Sequence, residues 1–111
     1  READGLAMSS RNVYLDPAAR AQATALNRSL DAAQALADAG ERDAGTIIAA
    51  AHAVLAEAGI APEYLELRDA ETLQTVTRLD GDALLAVAAQ VGAARLIDNH
   101  TLRSADRRGD A

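Results

Sequence analysis

The chain has 111 residues, with 17 acidic side chains against 11 basic ones and a formal net charge of −6. Half of it is hydrophobic, yet it holds no Phe, Trp or Cys and only two Tyr, and about a quarter of it is Ala. A length of one domain, no cysteine for a disulfide framework, thiol nucleophile or zinc–thiolate site, and neither lysines nor aromatic platforms for gripping a nucleic acid exclude several classes at once. No apolar run approaches the ~20 residues that span a bilayer, and no charged-then-apolar leader opens the sequence, so a cytoplasmic protein with no membrane partner is expected. The core has to be built from Leu, Ile, Val and Ala.

Residues 1–15 show neither a helical nor a strand period. With Gly5, Ser9, Ser10 and Asn12 among small and charged neighbours, they read as a loop. Leu6, Met8, Val13 and Leu15 are its few apolar anchors, which predicts a mobile segment with little hydrogen-exchange protection. Asp16-Pro17 is a helix start, an N-cap followed by proline at the first helical position. Strong helix formers run from there to residue 39, with Leu26, Leu30, Ala33 and Ala37 on one stripe and Gly40 as the stop. Asp43 caps a second helix over 44–58, whose apolar face is Ile47, Ala51, Val54, Leu55 and Ala58. Gly59 ends it and Ile60 folds back onto it. The link between the helices is short, so they should pack as an antiparallel pair.

After Pro62 the period changes from 3.6 to 2. Tyr64, Glu66 and Arg68 alternate with Leu65 and Leu67, a half-buried strand. Residues 69–78 form a polar connection with room for a short helical turn over 71–73, and Asp80-Gly81-Asp82 is a turn signal. The apolar run 83–91 reads as helix or strand by itself; Gly92 and the Arg95-Leu96-Ile97 stretch beyond it favour a hairpin. The tail 104–111 has almost no apolar content and is expected to fray. The predicted architecture is α+β, a two-helix antiparallel pair on a small, mostly antiparallel three-stranded sheet.

Few residues suggest chemistry. His52 sits mid-helix among alanines, and His100 at a strand end suits a hydrogen-bonded structural role. Neither has metal-ligand neighbours at helical spacing, and no metal site is expected. The exception is the opening loop. Gly5 lets the backbone bend, Ser9 and Ser10 bring two hydroxyls and two successive backbone N–H groups, and Arg11 brings a planar, permanent, bidentate cation. Such a set suits a phosphate chain; by spacing alone a polar linker with an incidental Arg fits equally well.

Three ordered motifs carry a resemblance. Residues 1–15 (READGLAMSSRNVYL), then Glu63-Tyr64-Leu65-Glu66-Leu67-Arg68-Asp69 with Glu71-Thr72-Leu73, then Gly92 with Arg95-Leu96-Ile97-Asp98-Asn99 resemble the pantoate–β-alanine ligase (pantothenate synthetase) family, over roughly residues 1–102. The resemblance implies an enzyme that uses ATP and magnesium to form pantoyl adenylate, releases pyrophosphate, and lets β-alanine displace AMP to give pantothenate. It implies that this chain corresponds to the C-terminal lid, with 1–15 an ATP-contacting loop at the interdomain junction, 16–103 the lid proper and 104–111 a frayed tail.

The family's nucleotide-binding tetrapeptide, a counterpart of the KMSKS loop, maps onto Met8, Ser9, Ser10 and Arg11. Ser9, Ser10 and Arg11 would stabilise phosphate charge, and Met8 would seat the loop or the nucleotide. The implied partner is the family's N-terminal Rossmann-like domain, which carries the HxGH-type motif and the pantoate and magnesium positions; none of these is found in this sequence. On that reading the chain alone is inactive and holds no bound cofactor, and dimerisation belongs to the full-length enzyme. Two other readings are a free-standing module whose loop binds a partner's phosphate or nucleotide, and a domain that self-associates through its sheet face.

Overall fold

A computed structural model describes residues 1–103, apart from the side chains of Arg11 and Tyr14. The opening segment has no regular structure except a 3-10 turn over Ser10–Tyr14. Helices α1 (Pro17–Ala23), α2 (Ala25–Asp38) and α3 (Ala44–Glu57) follow, then strands β1 (Tyr64–Asp69), β2 (Ala83–Val91) and β3 (Ala94–Leu102). The tail expected to fray lies outside the described residues. No helix among the described residues is long and apolar enough to cross a membrane.

The caps act where the sequence puts them. The Asp16 carboxylate accepts from the Ala19 N–H at 2.7 Å, and the Asp43 carboxylate from the Thr46 N–H at 2.9 Å. These bonds satisfy donors that the first turn of a helix leaves without partners. At the far end of α2, the Glu41 N–H reaches the Leu36 carbonyl at 2.9 Å; at the end of α3, the Ile60 N–H reaches the Leu55 carbonyl at the same distance and Ile60 is buried. Both closures have the six-to-one pattern that follows a C′ glycine.

The single helix expected over 17–39 is instead two, and the reason is Thr24. Its hydroxyl donates to the Ala21 carbonyl at 2.7 Å. A threonine bonded back to the preceding turn competes with the helical ladder and bends it. Ala23, Ala25 and Leu26 beside it are all buried in the core. Gln22 ties the two ends of the helical layer together, donating to the Ala58 carbonyl at 2.8 Å.

The sheet is fully antiparallel in the order β1-β2-β3. Tyr64 pairs with Ala88 and Leu67 with Leu85; across the other edge Leu85 faces His100 and Val87 faces Asp98. This register puts Ala83, Leu85, Val87, Ala89 and Val91 on the face toward the helices, all buried. Val91 and Ala94 close the hairpin around Gly92-Ala93, with Gly92 at φ 58°. Positive φ at the first of two turn residues matches the right-handed strand twist and favours Gly there. The predicted short turn after β1 is a single α-turn, the Leu73 N–H donating to the Asp69 carbonyl at 2.9 Å.

Helices α2 and α3 pack against each other, α2 on β3 and α3 on β1. The predicted stripes form the seam: Leu26, Leu30, Ala33 and Ala37 from one helix and Ile47, Ala51 and Leu55 from the other are buried. The observed α+β fold is the predicted one, two helices on a small antiparallel sheet.

Candidate functional site

Met8, Ser9 and Ser10 are displayed, and buried residues flank the Met8 to Arg11 stretch. Met8, Ser9 and Ser10 are exposed, whereas Leu6 and Asn12 are buried. Arg11 lies within the 3-10 turn; its side chain lies outside the described residues. Met8 is 72% exposed and Val13 81%. Two large apolar side chains in one short segment are thus left uncovered by the domain itself, an arrangement that favours a further contact surface.

Gly5 makes the approach to this stretch possible. Its φ is 89°, and a Cβ there would come within 2.7 Å of the Asn27 amide on α2. Both the left-handed backbone and the close passage call for glycine. Leu6 then enters the core, and Ala7 and Met8 border a cavity of about 180 Å³ whose walls include Leu26, Asn12 and the β3 residues Leu96 and Asp98.

Charged residues hold the segment alongside its apolar anchors. Two of those four, Leu6 and Leu15, meet the core; Met8 and Val13 do not. The Arg1 guanidinium makes a bidentate pair with Asp98 on β3, at 2.6 and 2.9 Å, and also donates to the Gly5 carbonyl at 3.0 Å. Arg20 on α1 pairs with Glu2 and, at 3.0 Å, with Asp4. Asp4 accepts from the Leu6 N–H at 3.2 Å. The Asn12 amide donates to Glu2 and to the Ala7 carbonyl, the latter at 3.0 Å. Its own oxygen is buried with no hydrogen-bond partner among the described residues. None of these contacts shows in apolar periodicity, so a count of apolar anchors does not find them.

Of the residues the sequence singles out, the structure therefore brings Met8, Ser9 and Ser10 together on one exposed stretch. Those the sequence reading missed are Asn12, Glu2, Arg20 and Asp98, which shape that stretch from behind. An Asn right after the Ser-Ser-Arg run was the available signal, because Asn amides often bond local backbone in turns. His100 has the structural role expected of it, its Nε2 lying 3.1 Å from the Gln34 side-chain oxygen on α2. Among the described residues no three His, Cys, Asp or Glu side chains gather as a group that could hold a metal ion.

The Arg20 guanidinium holds the Glu2 carboxyl below its ordinary value, with help from Asn12, and holds Asp4 low together with the Leu6 N–H. Lowered values in the folded state mean that this anchoring is complete above the ordinary carboxyl values of 4.5 and 3.8 and is lost as pH falls through the lower folded ones. On acidification, the NMR amide signals of Leu6 and Asn12 are expected to move toward random-coil positions before those of Leu30 and Val87. Simultaneous loss of all four would show that the carboxylates do not anchor the segment separately.

Comparison with known proteins adds a family to this geometry. The family model described as pantoate-beta-alanine ligase matches residues 1–101. The chain is 52% identical over 106 residues to a pantothenate synthetase of Koribacter versatilis, covering 95% of this chain and 36% of that protein. It is also 52% identical over 104 residues to a bifunctional pantoate ligase/cytidylate kinase of Synechococcus elongatus, covering 93% of this chain and 20% of that one. A crystal structure of pantothenate synthetase from Thermus thermophilus superposes with a TM-score of 0.84 at 38% identity, over 90% of this chain and 36% of the other. The chain thus spans between a fifth and about a third of the length of these relatives.

Proposed function

This chain belongs to the pantoate-beta-alanine ligase family, and we propose that it serves as the C-terminal lid of a longer, ATP-dependent, cytoplasmic ligase that joins pantoate to β-alanine. In this reading residues 1–15 form the ATP-contacting loop at a junction with an N-terminal Rossmann-like domain, and residues 16–103 form the lid. The observation that carries it is the exposure of Met8, Ser9 and Ser10 between buried Leu6 and Asn12. Two hydroxyl-bearing residues are exposed there, with uncovered Met8 and Val13 nearby, as in a loop that meets a nucleotide held by another domain.

The chemistry follows from charge. Attack of the pantoate carboxylate on the α-phosphate of ATP forms a C–O–P anhydride, pantoyl adenylate, and breaks the bond to pyrophosphate, which leaves with the electron pair. Negative charge grows on the α-phosphate and on the leaving oxygen. Donors fixed in advance toward that charge are usually the largest catalytic contribution. Arg11 supplies the cation, and Ser9 and Ser10 supply hydroxyl and N–H donors. The amine of β-alanine then attacks the acyl carbon, AMP departs, and the lid shields the anhydride from water. Magnesium supplies charge neutralisation to ATP in this family's reaction; no step is assigned to it on this chain.

The 111-residue chain alone, given pantoate, β-alanine and ATP, is expected to release no more pyrophosphate or AMP than a protein-free control. The full-length enzyme is expected to turn over under the same conditions. Clear pantoate-dependent turnover by the chain alone would refute the assignment as a lid.

A further inference from the structure

We propose that Asn12 is a positioning residue for adenylate formation, its side-chain amide tying together the two ends of the exposed stretch 8–11, with Glu2 and Arg20 holding that amide in place. The proposal rests on the reading of 8–11 as the phosphate-contacting loop.

Among the described residues of the opening segment, Asn12 is the one buried polar side chain, 6% exposed beside exposed Ser9 and Ser10. It follows the stretch directly, and its amide donates at 3.0 Å to the carbonyl of Ala7, the residue just before the stretch. One side chain thus closes a loop around four residues. Its main chain tightens the same loop: the Asn12 N–H donates to the Ser9 carbonyl at 3.2 Å, and the Asn12 carbonyl accepts from the Leu15 N–H at 3.1 Å.

The orientation of the amide is determined by its partners. A carboxylate and a carbonyl both only accept, so the NH₂ end must face them. The amide oxygen is then left buried and without a partner among the described residues. Glu2 is held in turn, because its other oxygen pairs with Arg20, and Arg20 pairs also with Asp4, which accepts from the Leu6 N–H. A loop closed in this way has fewer conformations to lose when its donors meet phosphate, and supporting contacts of this kind set the geometry of a site.

The test uses the full-length enzyme with Asn12→Ala, Asn12→Asp, Arg11→Ala and the Asn12→Ala/Arg11→Ala double variant. Asn12→Ala is expected to lower kcat for pantoyl-adenylate formation by about 10- to 100-fold, the cost of a small misplacement of reacting groups, with a smaller change in the ATP KM. Asn12→Asp, which sets a third acceptor against two acceptors, is expected to be at least as slow. Because Asn12 acts through the loop, the double variant should be no slower than Arg11→Ala alone. Hydrogen exchange should quicken in peptides covering 8–15 and stay unchanged in 83–91.

Losses that multiply in the double variant, exchange that quickens everywhere, or an Asn12→Ala enzyme as fast as the parent would each overturn the positioning role. If Asn12→Ala is silent while Arg11→Ala is slow, the loop reading survives and only the role of Asn12 is lost. If Arg11→Ala is itself silent, the phosphate-loop reading falls, and the positioning role falls with it.

Discussion

Arg11→Ala in the full-length enzyme is expected to slow adenylate formation by about 30- to 1,000-fold, which corresponds to ~2–4 kcal/mol for one donor removed from developing phosphate charge. The loss should fall on kcat more than on the ATP KM, because the charge Arg11 meets grows in the transition state. Arg11→Lys should recover only part of it, since an ammonium is a point charge and cannot reproduce the planar fork of a guanidinium. Ser9→Ala and Ser10→Ala should each cost less, because their main-chain N–H groups remain. The second half-reaction, from preformed pantoyl adenylate and β-alanine, should change much less, pyrophosphate having already gone. Rapid-quench measurement of the two half-reactions separates the cases. Equal slowing of both would make Arg11 a residue that holds the lid shut, and slowing of neither would make 8–11 an ordinary polar linker.

Leu85→Ala is expected to have the largest effect on stability, a loss of about 2–5 kcal/mol in urea unfolding of this chain, as for other fully buried leucines cut to alanine. Leu85 is fully buried on the central strand, opposite Leu67 of β1 and His100 of β3. At roughly 4 °C per kcal/mol for a domain of this size, the melting temperature should fall by roughly 8–20 °C. With total stabilities of about 5–15 kcal/mol usual for single domains, a core made of Leu, Ile, Val and Ala has little reserve. Ile97→Ala is the matched control. Ile97 lies on the other face of the sheet, opposite Ala88, and is 55% exposed, so its loss should be under about 1 kcal/mol. A one-residue slip in register would exchange the two faces. Equal costs at the two positions would therefore contradict the pairing.

Features of this protein that depend on near neighbours can be read directly along the chain. Asp16 and Asp43 cap helices because a carboxylate reaches N–H groups three residues on, and the stops after α2 and α3 depend on bonds spanning five residues. The hairpin needed only the apolar run of β2, Gly92 and the return strand. The apolar stripes of α2 and α3 follow from the 3.6-residue period, and they announced an α+β domain. The exposed stretch 8–11 was legible in the same way, as residue types suited to phosphate.

The way that stretch is held depends on contacts between distant parts of the chain. Arg1 pairs with Asp98 across 97 positions, and Arg20 gathers Glu2 and Asp4 from the far side of the loop. No periodicity records such pairs, because a charge looks solvated in sequence until the fold brings its partner to it. The division between α1 and α2 at Thr24 is hidden for a related reason. Whether its hydroxyl turns back to the Ala21 carbonyl or outward to water depends on the packing of Ala23, Ala25 and Leu26 around it. Asn12 reads as one more polar loop residue, and its burial follows only once Leu6 is in the core and Glu2 has been drawn to Arg20. Local hydrogen bonding and hydrophobic period act within a few residues and can be read along the chain; the distant ion pairs that set the loop's shape form only when the chain has closed on itself.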